Sequence, residues 1–185
     1  MPDIREERMA LISVLAGRAP NGYLGRTAVM KLLYFLQTLR GVPLDYRFSL
    51  HSYGPFDSDV LADLAAAESL GAVESTVTEY RGGYSYRISP GPIADWLQRR
   101  NEEFLGVYEE AVRWVLERFG PRSSADLELL STIVFVDRES LTNGEDLTLR
   151  TLAEIVHDVK PHFTRDQIIG FASALRDEGL LEAAA

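Results

Sequence analysis

Apolar positions recur at helical spacing through most of this chain and at strand spacing in a few short runs. Ile4, Met9, Ile12 and Leu15 stand among charges, the pattern of an amphipathic first helix over 4–15. Gly17, Pro20, Asn21, Gly22 and Gly25 then mark a turn-rich connection. Val29, Leu32, Leu33, Leu36 and Leu39 predict a core helix over Arg26–Arg40, ended at Gly41. From Tyr46 the period becomes two: Tyr46, Phe48 and Leu50 face one way and Arg47, Ser49 and His51 the other, a half-buried strand that Gly54-Pro55 stops.

Asp57 or Ser58 is placed to cap a third helix over 59–70, with Val60, Leu61, Leu64 and Ala67 on one face and Gly71 closing it. Val73–Thr78 and Tyr84–Ile88 flank Arg81-Gly82-Gly83, which predicts a β-hairpin. Three helices and a hairpin follow the order of a winged helix-turn-helix, here with an extra strand before the third helix.

The second half reads as helical. Pro92 suits the first position of a helix holding Ile93, Trp96 and Leu97, and one unbroken helix is expected from Asn101 to Phe119. Ser123 or Ser124 opens a helix through Leu127, Leu130, Ile133, Val134 and Val136, with Asp126 as capping partner. After the loop at Thr142-Asn143-Gly144, a helix from Thr148 or Leu149 reaches about Val159 and is ended by Pro161. Thr164 and Gln167 form a capping-box pattern for a last helix, Arg165–Glu178. Leu180–Glu182 is expected as a short strand and Ala183–Ala185 as a frayed end outside the fold. The expected class is α+β, mainly helical: a winged-helix-like half over 1–89 with a small β-hairpin, and a helical half over 90–182 packed on it as one structural unit.

Composition narrows the chemistry. With 46% hydrophobic and 25% charged residues in 185, the chain has the balance of an ordinary folded protein. It has no cysteine, which excludes disulfides, thiolate metal sites, iron–sulfur clusters and cysteine nucleophiles. No run approaches the roughly 20 apolar residues of a membrane helix, and the charged N-terminus is unlike a signal peptide, so a cytoplasmic protein is expected. The net charge of −9 is uneven: residues 1–50 hold seven Lys/Arg against four Asp/Glu, whereas 101–150 hold five against eleven. An acidic body disfavours close approach to phosphate backbones.

No catalytic or cofactor-binding fingerprint is present. Gly82-Gly83 and Gly22/Gly25 lack the spacing of phosphate-cradling loops, and no nucleophile elbow occurs. His157 and His162 are five apart with Pro161 between them, so they do not share a helical face for a metal. His51 suits a strand-end hydrogen bond better than acid–base work, having no nucleophile or second titrating group near it in sequence. The reading is of a protein that is not an enzyme and carries no cofactor or metal. The third helix, with Asp57, Asp59, Asp63 and Glu68 and no Arg, Lys, Asn or Gln, would repel a duplex. Together with Glu102, Glu103, Glu109 and Glu110 it is the expected face for a protein partner. The competing reading, a DNA-binding regulator, would use Arg26, Lys31 and Arg40 with Arg81 and Arg87.

The helix carrying Lys31, Leu32 and Tyr34, followed by Phe48 and His51-x-Tyr53-Gly54-Pro55-Phe56, resembles the YwgA-type family of small prokaryotic proteins. That family is related to the C-terminal domain of the DarG antitoxin and more loosely to SocA-like (Panacea) antitoxin domains. Gly71 and Lys160-Pro161-His162-Phe163 extend the resemblance. It implies an antitoxin-like module that blocks a DNA-modifying toxin by occupying its basic groove as a nucleic-acid mimic, for which an acidic body is the suitable physical form.

Overall fold

The computed structural model describes residues 3–184 and is mainly helical with two small antiparallel hairpins, an α+β arrangement. Along the chain run α1 (Ile4–Arg18), α2 (Arg26–Arg40), β1 (Ser49–His51), β2 (Gly54–Phe56), α3 (Ser58–Leu70), β3 (Val73–Tyr80) and β4 (Gly83–Pro90). These are followed by α4 (Ala94–Arg100), α5 (Glu102–Val107), α6 (Glu109–Phe119), α7 (Ser124–Thr142), α8 (Leu149–Val159) and α9 (Arg165–Asp177). The sequence suggests a division at Ser89, but the compact units part elsewhere. Unit 1 comprises residues 1–48 and 57–122; unit 2 comprises 49–56 and 123–185.

Unit 1 is built on α1 and α2, whose apolar stripes are fully enclosed from Met9 to Ala16 and from Val29 to Phe35 and Leu36. Phe35 of α2 stacks on Phe119 of α6 with centroids 4.0 Å apart, and Trp114 meets Phe119 edge-on at 5.7 Å. The α1 helix packs on α3, α4 and β4. Asp57 caps α3 through its side chain, and Gly71 closes that helix. β3 and β4 pair in register from Val73↔Pro90 to Tyr80↔Gly83. Leu24 joins β4 by an antiparallel bridge, exchanging backbone hydrogen bonds of 2.9 and 2.8 Å with Ile88.

Three expectations change in unit 1. The strand expected from Tyr46 stays outside any sheet until Ser49: Gln37 occupies the backbone of Tyr46 instead, donating to its carbonyl and accepting from its amide, each at 2.9 Å. A helical side chain thus takes the place of a neighbouring strand. The helix expected over 101–119 breaks at Tyr108 (φ −104°, ψ 12°), giving the short α5 and the longer α6. Apolar periodicity is the same on both sides of such a break, so the pattern hides it. Helix α4 begins at Ala94, two residues after Pro92.

In unit 2, α7 packs against α8, α9 and β2, and α8 against α9. Ser123 caps α7, accepting from the Asp126 amide, and the Thr164–Gln167 capping box at α9 is complete. Gly54-Pro55 does not simply end a strand. It starts a second one, paired Ser49↔Phe56, Leu50↔Pro55 and His51↔Gly54, so the motif is a hairpin turning at Ser52-Tyr53.

The C-terminal segment also departs from expectation. Residues 180–182 form no strand, and Ala183 and Ala184 are buried rather than frayed. The fully buried Asp137 carboxylate of α7 accepts from the amides of Glu182, Ala183 and Ala184 at 2.8, 3.0 and 2.9 Å. Arg138 pairs with Asp137 and with Glu182, and donates to the Leu180 carbonyl. Ala185 lies outside the described residues.

Candidate functional site

The motif that carries the family resemblance divides between the two units. Lys31 and Tyr34 are buried on α2, with Tyr34 edge-on to Phe48 at 5.1 Å, and belong to the packing of unit 1. His51, Tyr53, Gly54, Pro55 and Phe56 belong to unit 2, where Lys160 reaches the carbonyls of His51 and Ser52.

Lys160 follows α8 at its C-cap and is 1% exposed. Its ammonium donates to the carbonyls of His51, at 3.2 Å, and Ser52. The same Nζ lies 2.9 Å from Glu128 Oε1, at an angle that makes it a charge contact, since that buried oxygen accepts no hydrogen bond. The largely exposed His162 ring approaches the same oxygen at 3.4 Å. An ammonium enclosed to this degree needs a counter-charge and acceptors, and Glu128 and the two turn carbonyls supply both.

The other side of the turn is set by shape. Gly54 has φ +87°, and a Cβ there would sit 3.1 Å from both Ser131 Oγ and Thr132 Oγ1 of α7. Both hydroxyls are turned back onto the Glu128 carbonyl, at 3.1 and 2.7 Å, which keeps them satisfied beside the glycine. Gly54 therefore answers a backbone conformation and a close approach at once. Pro55 is buried, the Phe56 ring stands 4.9 Å from that of His51, and Tyr53 projects into solvent with 73% of its surface exposed. His51 Nε2 lies 3.1 Å from Ser49 Oγ.

Glu128, Ser131, Thr132 and Asp137 were missed by sequence reasoning, although a signal existed. Glu128, Ser131 and Thr132 interrupt the apolar run Leu127 to Val136 and Asp137 ends it, all at positions that α7 buries, and a buried carboxylate is rare without a partner. His157 Nδ1 donates to the Phe163 carbonyl at 2.9 Å, while His162 Nε2 lies 3.4 Å from Glu128 Oε1. Among the described residues no cluster of three or more His, Asp or Glu side chains could hold a metal ion, and no helix is long and apolar enough to cross a membrane.

The acidic residues proposed for partner binding sort into two groups. Asp59, Glu68, Glu102, Glu103, Glu109 and Glu110 are exposed, with Glu109 paired to Arg18 at 2.6 Å. Asp63 is not on that face. It is 3% exposed and takes Arg5 at 3.1 Å, Arg8 at 3.4 Å and the Tyr46 hydroxyl at 3.0 Å. Asp63 falls on the buried stripe of α3 with Val60, Leu64 and Ala67, where only a paired carboxylate is tolerated. Asp57 is spent as well: its two oxygens accept from the amides of Asp59 and Arg47. Burial and the neighbouring Asp63 carboxylate raise the Tyr46 phenol far above its ordinary range.

Of the cations in the competing reading, Lys31 is 2% exposed and out of reach of a duplex. Arg26 lies 3.5 Å over the Tyr86 ring, Arg87 4.7 Å over Tyr23 and Arg40 4.9 Å over Trp114, while Arg81 is exposed in the β3–β4 turn. An open cavity of about 560 Å³ in unit 1 is lined by Gln37 and residues 41–47, none of them in the motif. Comparison with protein-family models and with curated proteins finds no match to this chain.

Proposed function

We propose that this protein is a non-catalytic interaction module of antitoxin type, whose exposed acidic residues engage a protein with a basic nucleic-acid-binding groove. The observation that carries the reading is the outer face of α3: Asp59 and Glu68 point outward, and the helix offers no cation. Glu102, Glu103 and Glu110 add exposed negative charge on α5 and α6. Carboxylates so displayed are steered toward a positive groove and away from phosphate. The resemblance to YwgA-type and DarG-related sequences points the same way, toward mimicry of nucleic acid in front of a DNA-modifying toxin.

The test pairs a low-salt mobility-shift titration with capture of partners from native lysate. The proposal expects no shift of duplex DNA, recovery of a basic nucleic-acid-handling protein, and competition between this chain and DNA for it. Recovery of no such protein would overturn it. A second reading, a winged-helix DNA-binding regulator, is favoured by one feature: the Leu24–Ile88 bridge adds a third strand segment to the β3–β4 hairpin, as a wing requires. It expects a shift at low salt that Arg26→Ala and Arg87→Ala weaken.

A further inference from the structure

Unit 2 is completed by a piece of chain remote from it in sequence. The hairpin 49–56 reaches the rest of its unit covalently only through residues 57–122, all of which belong to unit 1. Its seat reads little that is particular to one covalent connection. Lys160 binds two backbone carbonyls at the turn, and α7 offers Ser131 and Thr132 to a glycine that lacks a Cβ. Part of the seat is held by its own contacts: Lys160 pairs with Glu128, and both hydroxyls bond within α7.

We propose that this arm is exchangeable, and that the seat on unit 2 also accepts the 49–56 hairpin of a second copy of the chain, giving a reciprocal dimer. Every contact of the seat is preserved in the exchange, so the balance between closed monomer and dimer is set by concentration and by the connection at Gly120-Pro121-Arg122-Ser123. The occupant is a second copy because the seat is already complementary to this hairpin: a pair of carbonyls for an ammonium, a positive-φ glycine for two hydroxyls, and a buried proline behind it.

Two full-length variants separate arm from seat. Gly54→Val keeps the seat but spoils the arm, since its side chain would meet Ser131 and Thr132 and its φ is strained. Lys160→Met keeps the arm but spoils the seat. Each alone is expected to be monomeric by native mass spectrometry. Refolded together they should give a one-to-one heterodimer, at about 10 μM, roughly a hundredth of the ~mM effective concentration that a short tether gives an arm in its own chain. Heterodimer confined to the mixture supports exchange; a mixture that stays monomeric overturns it. If either variant fails to fold, isotope-labelled and unlabelled wild-type chains are refolded together at about mM concentration. Dimers of intermediate mass are then expected, and monomer alone refutes the proposal.

Discussion

Replacing Lys160 by Met tests whether the buried ammonium holds the hairpin to its seat. Methionine has a similar length and no charge, so the substitution leaves little void and isolates the loss of the cation. Two consequences follow, of unequal size. The carbonyls of His51 and Ser52 lose a donor, but both residues are exposed and water can replace it at small cost. Glu128, 7% exposed, loses its counter-charge, with only the largely exposed His162 left beside it. Removing one member of a buried pair costs about 3–5 kcal/mol, because the remaining charge stays desolvated and unpaired. Both tryptophans lie in unit 1, so fluorescence is blind to the change, and hydrogen exchange by mass spectrometry is the suitable assay. Amides of α7 around Glu128 and of the hairpin should lose up to about two to four orders of magnitude of protection, while those of α1 and α2 keep theirs. The double variant Lys160→Met/Glu128→Leu should recover most of the loss, since an apolar pair of similar volume replaces a buried ion pair at little cost. If the single variant leaves α7 exchange unchanged, or the double variant is as damaged as the single, the pair is not what secures the hairpin.

Other consequences are tested more simply. Tyr46→Phe removes the hydroxyl that Asp63 accepts and should lower stability by about 1.5–3 kcal/mol in urea denaturation, the range for a hydrogen bond to a charged group. Because the folded Tyr46 phenol titrates above its unfolded value of about 10, its contribution is complete below that pH and is lost as pH rises beyond it. An ultraviolet titration of the folded protein should therefore leave this one of eight tyrosines protonated after exposed ones ionise. Asp137→Asn weakens the clamp on three tail amides and should cost about 1.5–3 kcal/mol, with amides 182–184 exchanging first. Asp59→Lys/Glu68→Lys reverses exposed charges and should move stability by no more than about 0.5 kcal/mol while abolishing competition with DNA for a basic partner.

The local signals of this chain were sufficient for its helices. Apolar spacing placed α1, α2, α3 and α7 to α9, and capping residues located several of their ends, because both act over one or two turns and need nothing from the rest of the molecule. The mainly helical α+β class followed from that. The contact of Lys160 with the His51–Ser52 turn is a different matter: both stretches are visible in the sequence as motif fragments, yet nothing local indicates that a lysine so far away binds the turn. The fates of the acidic residues divided in the same way. Asp63 shares the helical face of Val60, Leu64 and Ala67 whereas Asp59 does not, but it is the packing of α1 on α3, bringing Arg5 and Arg8 to Asp63, that makes it a core ion pair. Three alanines read as a loose end, until Asp137 accepts the backbone amides of two of them and of Glu182. Short-range periodicity and capping fixed the elements of this protein; the destinations of its buried charges were decided by contacts between distant segments, whose desolvation cost no local pattern records.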